Sequence, residues 1–177
     1  MKETFTITAF SENHIGLLNR ITIIFTRRRV NIDTLTVSPS AIKGVHKFTI
    51  TVFETHEMVE KVVKQIDKVV DVIKAFYHTD DEIIFQELAL YKVSTDILLN
   101  SNQVENIVRK SSGRIVEVTP TYTVIEKMGT AEETQELFEE LNKLGILQFT
   151  RSGRIAVTRL SEELLHNFLK ERNLLWK

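Results

Sequence analysis

The residues best suited to chemistry in this chain form a short run, Glu12-Asn13-His14-Ile15-Gly16, between an alternating segment and an amphipathic one. A turn that feeds a helix aims its backbone N–H groups and the positive end of the helix dipole at one small volume, which suits a carboxylate. Gly16 removes a side chain where a ligand would approach the backbone. Asn31 opens the next extended segment, and its amide can donate to a carboxylate and accept from an ammonium group. Both groups together describe an amino acid. The same residues also allow a plainer reading, with Asn13 as a helix N-cap and Gly16 as a tolerated glycine at the helix start.

Elsewhere the chain offers little for catalysis. The glycines at 16, 44, 113, 129, 145 and 153 form no dinucleotide or phosphate-binding loop. The histidines at 14, 46, 56, 78 and 166 include no pair at helical ligand spacing, so no metal site is expected. Cysteine is absent, which excludes disulfides and thiolate chemistry and fits a reducing cytoplasm. A net charge of −1, from 23 basic and 24 acidic residues, gives no overall field for nucleic acid or an anionic membrane. Arg27-Arg28-Arg29 is the densest basic run; it complements a helix C-terminus or contacts an anion or partner. Phe48 and Phe53 fall on opposite faces of one strand, without the stacking motif of an RNA-binding sheet. The most apolar stretch, 83–99, carries Glu87, Lys92 and Asp96 and is not expected to span a bilayer, and the start of the chain has no secretory apolar region.

Those chemical positions need a scaffold, and hydrophobic periodicity supplies one. Residues 4–10 alternate, with Phe5, Ile7 and Ala9 on one face of a strand. Leu17, Leu18, Ile21, Ile24 and Phe25 form a helical stripe, and 32–37 and 45–53 read as strands flanking a turn at 41–44. Thr55 precedes a second stripe of Val59, Val62, Val63 and Ile66, and 69–78 is a fourth strand. Asp80-Asp81-Glu82 marks the expected linker. The order then repeats. A strand (86–93) leads to a helix beginning near Asn100 to Asn102, with Val104, Ile107 and Val108 on its stripe. Strands follow at 114–118 and 121–125, and Thr130-x-x-Glu133 is a capping box for the next helix. Strands at 146–150 and 154–158 precede an amphipathic segment ending at Trp176. The expectation is an α+β chain of two ferredoxin-like βαββαβ domains, 1–79 and 80–177.

The combination Glu12-Asn13-x-x-Gly16-x-Leu18-x-Arg20-Ile21, Phe25, and Val30-Asn31-Ile32-x-x-Leu35-Thr36-Val37 resembles the regulatory small subunits of acetolactate synthase, ACT-domain proteins. Gln65-Ile66-x-Lys68-Val69-Val70-Asp71-Val72-Ile73, Arg114 to Pro120, and Thr150-Arg151-Ser152-Gly153 extend the resemblance over nearly the whole chain. It implies a non-catalytic subunit that activates a large catalytic subunit and confers feedback inhibition by valine or another branched-chain amino acid. Thiamine diphosphate, FAD and Mg belong on that large subunit, with no cofactor in this chain. The resemblance places the effector at Asn13, at the backbone of His14, Ile15, Gly16, Leu17 and Leu18, and at Asn31 with Ile32, in a homodimer formed through ACT domains. Where the family usually has a glycine this chain has Arg29, which implies a different helix exit, and its tail, 160–177, is longer than usual. A stand-alone amino-acid-responsive regulator and an unrelated enzyme on the same fold are the rival readings.

Overall fold

The computed structural model describes residues 1–100, 103–161 and 164–171. Two of the expected landmarks, Asn102 and Trp176, lie outside them. The chain divides into two units, Met1–Phe85 with the chain from Arg154 onward, and Gln86–Gly153.

In the first unit, β1 (Lys2–Glu12), α1 (Leu17–Arg28), β2 (Thr34–Pro39), β3 (Val45–Thr55), α2 (His56–Ile66) and β4 (Val72–Thr79) follow the expected order. The antiparallel sheet runs β2-β3-β1-β4, so β1 is paired on both sides, with Ile7 opposite Ile50 and Tyr77. The alternation in β1 buries Phe5, Ile7 and Ala9 completely, against Leu17, Ile21 and Phe25 of α1 and Val59, Val62 and Ile66 of α2. Leu18, expected on the α1 stripe, is 46% exposed. Its neighbour Leu17 begins the 17-21-25 line, and one residue further is about 100° around the helix. Thr55 caps α2 by accepting from the Met58 N–H.

The end of α1 corrects one expectation. Arg29 adopts φ 55°, ψ 34°, the left-handed exit that a glycine there would take. Its N–H donates to the Thr26 carbonyl, and that of Val30 to the Phe25 carbonyl, 3.0 Å away. This is a Schellman closure, with Val30 buried beneath it. An L side chain is strained in that conformation, so Arg29→Gly is expected to stabilise the fold by ~1 kcal/mol, raising the melting midpoint by about 2 to 4 °C. A midpoint at or below that of the wild-type chain would count against it.

The second unit repeats the plan with β5 (Ile83–Ser94), α3 (Thr95–Asn100), α4 (Gln103–Lys110), β6 (Arg114–Val118), β7 (Tyr122–Gly129), α5 (Ala131–Asn142) and β8 (Ile146–Arg151). The path β6-β7-β5-β8 matches the first sheet strand for strand. The Thr130/Glu133 capping box closes as expected, with the Thr130 N–H donating to Glu133 Oε2 at 2.8 Å. Tyr91, fully buried beside Leu137 and Leu141, donates to the Thr134 carbonyl at 2.6 Å; burial pushes its hydroxyl up to about 12.

The expected boundary at 80–82 is not a free linker. Those residues form a short 3₁₀ turn in which the Thr79 N–H donates to Glu82 Oε2, and the chain passes directly into β5. Nor does the tail stay with the second unit, as a 80–177 domain requires. Arg154 donates to Asp80 Oδ1 at 2.7 Å and to Thr6 Oγ1 at 3.2 Å, with its guanidinium 3.8 Å from the centre of the Phe85 ring. Beyond it lie β9 (Ile155–Thr158) and α6 (Leu164–Glu171). Leu165 and Leu169 are buried against Phe10 and Val45, with Ile73 and Phe76 alongside. The tail thus gives the first sheet a second apolar cluster, apart from the one its own helices cover. No described helix is long and apolar enough to cross a membrane.

Candidate functional site

Between β1 and α1 the backbone reverses over four residues, Asn13, His14, Ile15 and Gly16. Gly16 is the N-cap of α1, with φ 84° and ψ −3°, and no side chain caps the helix. Asn13 is therefore not the cap, because the left-handed glycine delays the helix start to Leu17. A Cβ placed on Gly16 would meet nothing within 4 Å. The glycine is demanded by backbone conformation, then, and not by crowding. The Leu17 N–H donates to the His14 carbonyl at 3.3 Å, and the N–H groups of Leu18 and Asn19, at the positive dipole end, have no intrahelical acceptor and suit an anion.

Asn13, His14, Gly16, Leu17 and Leu18 line a cavity of about 170 Å³ at this turn. Ile15 stands fully exposed at its tip. Asn31 and Ile32 do not join them on the same chain. β2 starts at Thr34 and pairs with β3, so both lie in the α1–β2 loop. There the Asn31 amide donates to Asp33 Oδ1 at 3.3 Å, and Ile32 packs against the core. The far wall was missed in the sequence: Ser11 of β1 and Val37, His46 and Phe48 of β2 and β3 also line the cavity. Ser11 and His46 face each other in the β1–β3 ladder, and Ser11 Oγ and His46 Nδ1 are buried without a hydrogen-bond partner. Such atoms are uncommon in folded chains and mark a polar floor. Only the strand register reveals the pairing.

Behind the turn sits a charge network. Asp71, in the turn before β4, places Oδ1 3.0 Å from His14 Nδ1 and accepts from Arg20 Nη2 on Oδ2 at 2.6 Å. The Arg20 hydrogen bond, with His14 adding to it, holds the Asp71 carboxyl below the usual carboxylate range. Glu12 Oε2 is 3.8 Å from His14 Nε2. Glu12, His14 and Asp71 thus gather three potential metal-ligand atoms within 4.8 Å. The Arg20 guanidinium already supplies Asp71 with a cation, and the group reads as an ion-pair network. What the site offers chemically is recognition, through oriented N–H donors, a small, mainly apolar cavity and a polar floor.

Two family models match the chain. One, described as the small subunit of acetolactate synthase, covers residues 86–160; the other, an AHAS small subunit-like ACT domain, covers residues 7–74. The acetolactate synthase small subunit of Bacillus subtilis is 32% identical over 92% of this chain and 94% of its own length. That of Mycolicibacterium smegmatis is 31% identical over 88% and 91%. The crystal structure of the acetolactate synthase small subunit from Thermotoga maritima superimposes with a TM-score of 0.81 at 23% identity, covering 90% of this chain and 99% of that one, a likeness of fold.

Proposed function

The chain belongs to the acetolactate synthase small-subunit family, and from that premise we propose that it is a non-catalytic regulatory subunit that senses a branched-chain amino acid, valine foremost. It raises the activity of a large catalytic subunit, which carries thiamine diphosphate, FAD and Mg, and makes that activity subject to feedback inhibition. The observation that carries the reading is the left-handed Gly16 turn, an uncapped helix start opening onto a cavity of amino-acid size. The effector carboxylate meets the N–H groups around His14 to Leu18, and its side chain lies on Leu17, Leu18 and Val37.

One open turn encloses a ligand poorly, whereas binding sites bury most of theirs. The ACT domain accordingly works as a homodimer, in which a second copy covers the exposed Ile15 and Leu18 and brings Asn31 and Ile32 to the effector. Two-fold symmetry makes two such sites. The coupling required between effector and catalytic subunit is modest, on the order of 1 to 3 kcal/mol.

Reconstitution tests the proposal. The purified chain alone is expected to form no acetolactate from pyruvate. Added to the large subunit, it should raise the rate and render it sensitive to valine. Synthesis by the chain free of large subunit, or a reconstituted rate indifferent to valine, isoleucine and leucine alike, would overturn it.

A further inference from the structure

Asp71 is held in an unfavourable backbone conformation for what its side chain does. Its φ of 79° lies in the left-handed region, where a glycine would sit without strain. The β1–β4 ladder steps out of register beside it, passing from Phe10 opposite Lys74 to Ser11 opposite Val72. Such bulges re-aim the chain at the end of a strand, and here the chain just before β4 meets the β1–α1 turn. The carboxylate then divides between the two sides of Gly16. One oxygen faces the His14 ring before the glycine, and the other accepts from Arg20, in the first turn of α1 after it. The backbone joins in, because the Glu12 N–H donates to the Asp71 carbonyl at 2.9 Å and Arg20 Nη1 reaches the Val70 carbonyl at 3.4 Å. Asp71 itself does not line the cavity.

We propose that Asp71 is a positioning residue, a staple across the Gly16 turn that holds its N–H groups in the ligand-binding arrangement before any ligand arrives. The proposal rests on the reading of that turn as the effector site. A glycine-centred turn left to itself samples many conformations, and a ligand that must order it binds more weakly. The staple removes that cost in advance. It also explains why an aspartate occupies a position whose backbone prefers glycine.

Two variants of the full-length chain test this. Asp71→Asn keeps the size and a tolerance for the left-handed region but discards the charge, while Asp71→Gly relieves the backbone and discards both side-chain contacts. In both, exchange of the Glu12, His14, Leu17 and Arg20 amides, which are hydrogen-bonded at the turn in the ligand-free protein, is expected to accelerate. L-valine affinity by titration calorimetry should fall about tenfold, with activation of the large subunit unchanged. A merely conformational role predicts the reverse for Asp71→Gly, namely a higher melting midpoint and unaltered valine affinity. Wild-type exchange rates at those four amides in both variants overturn the staple whatever the ligand. Faster exchange with wild-type valine affinity overturns it too, because the held geometry would then be irrelevant to binding. Failure of the wild-type chain to bind L-valine, L-isoleucine or L-leucine overturns the effector reading instead, and the positioning role with it.

Discussion

Gly16→Asp is expected to abolish amino-acid inhibition of the reconstituted enzyme while leaving its activation intact. The new carboxylate would sit at the uncapped start of α1, the place proposed for the effector's own carboxylate, and would take the same N–H donors. Aspartate is among the residues that best tolerate left-handed backbone, and a Cβ at this position meets nothing within 4 Å, so the fold survives the change. Loss of charge-assisted hydrogen bonds to the effector, with repulsion added, should raise the half-inhibiting valine concentration on the order of 100-fold or more. Gly16→Ala separates the causes, since it imposes the backbone strain without the charge and should cost only a few-fold. Half-inhibition by valine at the wild-type concentration in the aspartate variant would remove this turn from the effector site.

The second large effect concerns stability. Leu165 is 1% exposed and belongs to the cluster with Phe10, Val45 and Leu169. Truncating a buried leucine in such a cluster costs about 2 to 5 kcal/mol, so Leu165→Ala should lower the melting midpoint by roughly 5 to 15 °C. The amides of Phe10 and Val45 should lose protection from exchange in step. A loosely attached tail predicts almost no change in either measurement. The outcome also bears on fragments, because a piece ending near residue 80 lacks Arg154, the counter-charge of Asp80, and the cover over Phe10.

The sequence carried much of this architecture, because one-sided burial writes a period into it. The alternation of Phe5, Ile7 and Ala9, the stripe of Val59, Val62, Val63 and Ile66, and the Thr130/Glu133 box each mark their element through local chemistry. The polar turn with Gly16 was legible for the same reason. What escaped detection depends on partners distant in sequence or on backbone geometry that residue identity does not announce. α3, at six residues, is too short to display a helical period. Arg29 adopts a left-handed conformation that its residue type does not advertise, and Asp71 one that aspartate tolerates without requiring. Ser11 and His46 meet only through the ladder register, and Asn31 follows α1, whose twelve residues carry it about 18 Å from the turn. The tail showed its amphipathic stripe, but nothing local says which sheet receives it.

That returning tail has a consequence for how the chain is made. The first unit is the first to leave the ribosome and the last to be finished. Phe10, Val45 and Phe76 are synthesised early, yet Leu165 and Leu169, which cover them, arrive only after the whole of Gln86–Gly153 has been translated. At ordinary elongation rates that interval is roughly 5 to 15 s. For that time the nascent chain presents an apolar sheet face to every chaperone and neighbouring chain within reach. A premature stop after the second unit would make the exposure permanent, so quality control of this protein turns on the codons that follow Gly153.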